Sequence, residues 1–148
     1  MKSAAEMKKM ATALAEEIAR SGQKWSHAFV LALTGELGSG KTAFAQGFAK
    51  GLGVKESVLS PTFVLMREYP LKNNTFKKFI HIDCYRLEDP KELEMLGWNK
   101  LVADPANLML IEWADRIFNL LPARYLAFLF HHTNETTRTI TISETKKA

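Results

Sequence analysis

The sequence has one cysteine, Cys84, among its 148 residues, so no disulfide can form within the chain. No apolar run approaches the roughly 20 residues that a helix needs to cross a bilayer. Glu6, Glu16 and Glu17 interrupt the N-terminal segment where a signal peptide would have its apolar centre. We therefore expect one domain over residues 1–148, cytoplasmic, in a reducing compartment and without membrane contact.

The positive charge of the chain is not concentrated in one place. The formal net charge is +4, and the paired lysines are Lys8-Lys9, Lys77-Lys78 and Lys146-Lys147. Domains dedicated to nucleic acids more often gather basic and aromatic residues along one stripe. That class is therefore disfavoured, while a weak attraction to RNA or to an acidic protein surface stays open.

The segment from Gly35 to Thr42 reads G-E-L-G-S-G-K-T and matches the phosphate-binding pattern G-x-x-x-x-G-K-[ST] at every fixed position. The apolar residues 29–33 precede it, and helix-periodic spacing follows from Lys41. In such a strand–loop–helix unit, backbone N–H groups surround the phosphates and the helix N-terminus faces the anion. We expect Lys41 to reach the outer phosphates and the Thr42 hydroxyl to bind Mg²⁺.

Two carboxylates come directly after predicted strands. Glu112 follows the apolar residues 108–111, and Asp83 follows residues 79–82. Phosphate-loop proteins hold Mg²⁺ with the loop hydroxyl and a carboxylate at the end of a neighbouring strand. Glu112 follows the more apolar run, so we predict that it is the metal ligand, which leaves Asp83 to orient the attacking water or to sense the γ-phosphate. Either carboxylate could instead cap the next helix or lie exposed on the surface.

Three further residues each allow two interpretations, one purely structural and one functional. His81 alternates onto the same strand face as Asp83, where a structural hydrogen bond is commoner than a role as catalytic base. Trp113 is expected to pack, and it can also report nucleotide binding by fluorescence. Thr62 lies in S-P-T-F, where a switch loop touching the γ-phosphate is expected, although Ser-Pro alone only starts a turn. The predicted nucleotide-contacting residues are Gly35, Glu36, Leu37, Gly38, Ser39, Gly40, Lys41, Thr42, Ala43 and Thr62.

The order of elements predicts an α/β fold. A capping box at Ser3 opens a helix that ends at Ser21-Gly22, and the phosphate-loop helix ends near Gly51. Further strands are predicted over 28–34, 63–69, 77–83, 108–111, 124–130 and 137–143, with short helices over 91–96 and 114–120. This order indicates a three-layer fold of the P-loop NTPase type with a small mixed, mainly parallel central sheet.

Taken in order, these segments resemble the bacterial TsaE (formerly YjeE) family. The matching pieces are G-E-L-G-S-G-K-T at 35–42, S-P-T-F at 60–63, H-I-D-C-Y-R-L at 81–87, E-L-x-x-L-G at 92–97 and I-E-W at 111–113. The phosphate loop alone is unspecific, whereas the whole set in this order is specific. Glu36 stands where the family usually has aspartate. That difference is conservative and leaves the largely backbone phosphate contacts intact.

The resemblance implies a small ATPase, with ATP and Mg²⁺ as cofactors, needed for the threonylcarbamoyl modification of adenosine 37 in tRNAs that read codons starting with A. It implies an accessory subunit that acts on the TsaD–TsaB pair, touches tRNA only indirectly and is a monomer or weak oligomer alone. Carried to this sequence, it makes Lys41 and Thr42 ligands of phosphate and Mg²⁺, and Glu112 the acidic residue of the Mg²⁺ site. Asp83 becomes a catalytic or switch residue, and Thr62 becomes a switch residue.

Two other functions remain open at the level of sequence. A small P-loop kinase would usually carry an arginine-bearing lid, which no segment resembles. A non-enzymatic module would use nucleotide occupancy only to set its affinity for a partner. No arginine clearly takes the role of an arginine finger in cis, and Arg86 and Arg116 are no more than candidates. We therefore expect slow hydrolysis by the isolated chain.

Overall fold

The computed structural model describes residues 3–36, 40–55, 66–72, 75–132 and 137–146. The predicted residues Leu37, Gly38, Ser39 and Thr62 lie outside these ranges. The elements are, in chain order, α1 Ala4–Ser21, β1 Phe29–Gly35, α2 Lys41–Gly51, β2 Met66–Pro70, β3 Lys78–Asp83, α3 Lys91–Met95, α4 Trp98–Ala103, β4 Asn107–Glu112, a 3₁₀ helix Ala114–Leu120, β5 Arg124–His132 and β6 Arg138–Lys146.

A six-stranded sheet in the order β2-β3-β4-β1-β5-β6 forms the middle layer of the described residues. The inner strands β3, β4, β1 and β5 run parallel, and the edge strands β2 and β6 run antiparallel to their neighbours. β1 is almost continuously apolar because helices cover both faces of the sheet at its centre. The predicted mixed, mainly parallel sheet is confirmed.

Alternate residues of β1 enter two separate cores, as the period of a strand requires. Phe29, Leu31 and Leu33 pack with α1 and α2 on one face. Val30 and Ala32 pack on the other face with α3, α4 and the 3₁₀ helix. The prediction of three layers is therefore confirmed, and α2 lies on the same side of the sheet as the odd-numbered residues of β1.

The first helix has the predicted boundaries. Ser3 Oγ accepts a hydrogen bond from the backbone N–H of Glu6 at 3.1 Å, and Gly22 ends the helix with φ of 69°. The buried face of α1 consists of Met7, Ala11, Ala15 and Ile18. This helix is the longest described one, and no helix in the described ranges is long and apolar enough to cross a membrane.

The close approach of α1 to α2 depends on glycine at position 47. The Thr12 hydroxyl donates a hydrogen bond to the backbone oxygen of Gly47 at 2.8 Å. A Cβ atom on residue 47 would lie 2.4 Å from the backbone oxygen of Lys8 and 2.7 Å from its Cα. These are backbone atoms, so relief of the clash requires α1 to move as a body.

Replacing Gly47 with alanine is therefore expected to lower the free energy of unfolding by about 1–3 kcal/mol. At an open position inside a helix the same change would stabilise by roughly 0.5–1 kcal/mol, so the clash decides the sign. Urea unfolding measures the difference. Lys50→Ala, at an exposed site of the same helix, is the control and should change stability by about 0.5 kcal/mol or less. A Gly47→Ala variant as stable as the natural chain would contradict the tight crossing.

One short helix was not predicted. The helix predicted over 91–96 stops before Gly97, which has φ of 90°, and a second short helix, α4, with a buried Trp98, follows it. Six residues are too few to show a helical period, so tertiary burial of Trp98 stabilises this turn. The strand predicted over 108–111 is one residue longer at each end, from Asn107 to Glu112, and Trp113 then adopts a left-handed backbone with φ of 57°.

Both predicted hairpins are present. β2 pairs antiparallel with β3, and β5 pairs antiparallel with β6 over longer strands than predicted, reaching His132 and Lys146. The first strand of the β2–β3 hairpin was predicted over 63–69. Residues 66–69 belong to β2, and residues 63–65 lie outside the described ranges.

Candidate functional site

The carboxyl ends of β1, β3 and β4 bring the candidate residues to one edge of the sheet. Asp83 and Glu112 end their strands as register partners, and Glu112 is aligned with Leu33 of β1. Phe79 and Leu110 belong to the core under α2, so alternation places Asp83 and Glu112 on that same face. Ligands of open α/β sheets bind at this end of the strands.

The ends of the phosphate loop have backbone shapes that favour glycine. Gly35 has φ of 142° and Gly40 has φ of 107°. A Cβ atom on Gly35 would also lie 2.6 Å from the backbone oxygen of Phe130. α2 then begins at Lys41 without a side-chain cap. The first N–H groups of a helix have no acceptor within the helix, so the start of α2 can donate to an anion.

Lys41 lies back across the end of β1. Its Nζ atom donates hydrogen bonds to the backbone oxygens of Gly35 at 2.6 Å and Glu36 at 3.0 Å. The same atom is 3.9 Å from the centre of the Trp113 ring, within the range of a cation–π contact. Burial lowers the pKa of Lys41, and the nearby carboxylates of Glu112, Asp115 and Asp83 partly oppose that shift.

The contact with Trp113 was not predicted. Trp113 was expected to pack, and the structure places its half-buried ring against the ammonium group of the phosphate loop. Its left-handed backbone turns the chain out of β4 immediately after Glu112. Tyr85 continues this aromatic cluster, with ring centres 5.1 Å apart, and the Arg116 guanidinium lies 5.9 Å from the Tyr85 ring.

Glu112 is buried and bonded to a histidine. The Nε2 atom of His81 lies 2.6 Å from Glu112 Oε2, and the two side chains are 1% and 2% exposed. Nδ1 of His81 has no hydrogen-bond partner among the described residues. An unpaired buried N–H group costs about 1–3 kcal/mol. The ring hydrogen is therefore assigned to Nε2, where it is donated to Glu112, and Nδ1 carries no hydrogen. The structural hydrogen bond expected for His81 is thus present, and its acceptor is a candidate catalytic residue.

Asp83 has a local role as well as a place at the site. Its Oδ1 atom accepts a hydrogen bond from the backbone N–H of Tyr85 at 2.9 Å, which fixes the turn after β3. Cys84 follows it in the core, where burial raises the pKa of the thiol to about 12. The only cysteine is therefore an inert packing residue.

The described residues fit a magnesium ion that is held mainly by phosphate. No group of three or more histidine, cysteine, aspartate or glutamate side chains in the described ranges is arranged to hold a metal alone. Mg²⁺ bound to a nucleotide keeps several waters and needs one or two protein oxygens. The hydroxyl of Thr42, an exposed residue in the first turn of α2, and the carboxylate of Glu112 at the end of β4 are oxygen groups of that kind.

A family model described as "Threonylcarbamoyl adenosine biosynthesis protein TsaE" matches residues 1–140. The chain belongs to the TsaE family. The resemblance carried by the short motifs is therefore confirmed over nearly the whole sequence. The fold is similar to the solved "Crystal structure of Bacillus subtilus YdiB", with a TM-score of 0.73 and 28% identity, covering 99% of this chain and 82% of that one.

Curated TsaE proteins from three bacteria are similar in sequence to this chain. The Bacillus subtilis relative is 40% identical over 77% of this chain and 68% of its own length. The Haemophilus influenzae relative is 39% identical over 64% and 58%, and the Nostoc relative 33% over 79% and 71%. The matched part thus spans between 58% and 71% of these three relatives.

In this TsaE-family chain, tryptophan fluorescence is expected to respond to nucleotide. A triphosphate that engages Lys41 would draw the ammonium from the Trp113 ring and change the emission. Trp25 and Trp98 are buried in the two cores and should be silent. Titration with MgATP should therefore change the emission of the natural chain and of Trp98→Phe, whereas Trp113→Phe should lose the change. A signal that persists in Trp113→Phe would contradict this assignment.

Proposed function

We propose that this chain binds ATP with Mg²⁺, hydrolyses it slowly, and serves as an accessory ATPase in the threonylcarbamoyl modification of tRNA adenosine. The observation that carries the proposal is the ammonium of Lys41, bound at the end of β1 beside the carboxylates of Asp83 and Glu112. Membership of a family of threonylcarbamoyl adenosine biosynthesis proteins supports the pathway. The partner that fits such a role is the TsaD–TsaB pair.

The chemistry assigned to the residues is phosphoryl transfer to water. Bound Mg²⁺ would neutralise charge on the β- and γ-phosphates. Thr42 and Glu112 would hold it, and Lys41 would donate hydrogen bonds to the outer phosphate oxygens. Asp83 would orient a water whose oxygen attacks the γ-phosphorus in line with the bond to the β-phosphate oxygen. That bond breaks, and ADP and phosphate leave.

Turnover by the isolated chain is expected to be slow. Arg116 is placed over the Tyr85 ring, and Arg86 is an exposed residue of the turn after β3. An arginine finger contributes about 10³–10⁵ in rate, so a site that receives this group from a partner is slow alone. Release of labelled phosphate from ATP should therefore rise by about 10-fold or more when TsaD–TsaB is added.

The control for this experiment is TsaD–TsaB mixed with a Lys41→Met chain, which should release only the background amount of phosphate. Fast hydrolysis by the pure chain, or no stimulation by the pair, would contradict the proposed role. The same label tests the kinase alternative, because a kinase would move the γ-phosphate to a small molecule. Co-purification with TsaD–TsaB, with and without ATP and Mg²⁺, tests the partner directly.

A further inference from the structure

We infer that His81 is a positioning residue for the nucleotide site: it holds the Glu112 carboxylate in one orientation ready for a magnesium-bound nucleotide. The inference rests on the proposed function and deepens it. His81 Nε2 and Glu112 Oε2 are 2.6 Å apart, and both side chains are almost completely buried. A carboxylate can only accept, so His81 is the donor in this bond.

The imidazole ring is itself held by an aromatic stack. Phe79, two residues earlier on β3, is stacked on His81 with ring centres 6.3 Å apart and planes 14° apart. Phe79 in turn contacts Phe48 of α2 and Tyr69 of β2 at 5.9 Å and 6.0 Å between ring centres. The His81 ring is therefore supported both by the sheet and, through Phe79, by the phosphate-loop helix α2.

The hydrogen bonds of the ring nitrogens differ between His81 and His27, a histidine that bonds only to the backbone. His27 uses both ring nitrogens on the backbone: Nδ1 donates to the oxygen of Ala28 at 2.7 Å, and Nε2 accepts from the N–H of Arg124 at 3.3 Å. His81 has Nδ1 unpartnered among the described residues. Its one hydrogen bond there is to Glu112, the predicted magnesium ligand.

Loss of the His81 donor is expected to weaken the binding of Mg²⁺ more than the binding of the nucleotide itself. Carboxylates that bind metals are oriented by hydrogen bonds from neighbouring groups, and loss of such a partner typically lowers metal affinity or activity by about 10–100-fold. Without the donor, Glu112 loses the hydrogen bond that fixes its orientation. The gain in nucleotide affinity that Mg²⁺ provides should then shrink, while affinity measured without metal should change little.

The test compares two amides at the same buried position. In His81→Gln the side-chain nitrogen lies about where Nε2 lies, so it can donate to Glu112. In His81→Asn the chain is one methylene shorter and the donor falls short. Calorimetry gives the dissociation constant of a β,γ-imido analogue of ATP, once with Mg²⁺ and once with a chelator. The ratio of the two constants is the readout, and it does not depend on turnover.

We expect the ratio to fall by about 10–100-fold in His81→Asn and to return to within about threefold of the natural value in His81→Gln. Phe76→Leu disturbs the same core away from the His81 ring, at a side chain packed on Phe29, so it is the matched control for loss of stability, and thermal unfolding is measured for all variants. His81→Leu, which fills the space without a donor, replaces the asparagine variant if that one does not fold.

Three results would overturn the inference. One is an unchanged ratio in His81→Asn, and another is a glutamine variant no better than the asparagine one. A ratio that falls as far in Phe76→Leu would show that packing of the core, not the donor, is responsible. Failure of the natural chain to bind the analogue with Mg²⁺ is a different result, since it would overturn the proposed function along with this inference.

Discussion

Replacing Lys41 with methionine is expected to weaken the binding of MgATP by about 10²–10³-fold. The ammonium donates two short hydrogen bonds to backbone oxygens at the end of β1, which places it beside the phosphate loop. Hydrogen bonds to charged groups contribute about 1.5–3 kcal/mol each, and two of them to phosphate oxygens correspond to at least this loss, at 1.4 kcal/mol per factor of ten. Isothermal titration calorimetry with MgATP measures the effect.

Methionine is chosen because its unbranched stem fills the buried space that the lysine stem occupies. Stability should change little, because the lost hydrogen bonds are offset by removing an ammonium whose burial lowers its pKa. Lys50→Met, in the exposed last turn of the same helix, removes an equal charge and should leave affinity within about twofold. Full affinity in a folded Lys41→Met chain would rule out the phosphate loop as the nucleotide site.

Replacing Glu112 with glutamine is expected to reduce hydrolysis by about 10²-fold or more in the presence of the partner pair. The change keeps an oxygen that can accept the hydrogen bond from His81, so the geometry of the buried pair is retained. It removes the negative charge that the carboxylate brings to the proposed magnesium site. Metal-assisted stabilisation of the transferring group is worth several kcal/mol, which corresponds to this loss in rate. Phosphate release under saturating ATP measures it.

Glu94→Gln, an exposed residue of α3, removes the same charge away from the sheet edge and should hydrolyse ATP normally. Undiminished hydrolysis in Glu112→Gln would show that the Glu112 carboxylate is not a magnesium ligand. The variant also separates an ATPase from a nucleotide-gated module when it is paired with Asp83→Ala. If both variants support tRNA modification in cells without hydrolysing ATP, turnover is dispensable.

Much of the fold was predictable because its signals are local. β1 and the start of α2 follow from an apolar run, a glycine-rich loop and helical spacing within one segment. The terminal hairpin followed from two alternating strands joined by a short polar connection. α4 was missed because its stability comes from the burial of Trp98 and not from any periodic pattern.

The sequence alone was enough to predict a phosphate loop, with Lys41 and Thr42 in it, and two carboxylates at strand ends. Each of these predictions depends on spacing along a single stretch of chain. The partners of those residues needed the assembled sheet. Glu112 meets His81 across 31 positions of sequence, and Lys41 meets Trp113, only because β3, β4 and β1 are neighbours in one register. Strand order and register come from the packing of the entire core, which no local pattern encodes.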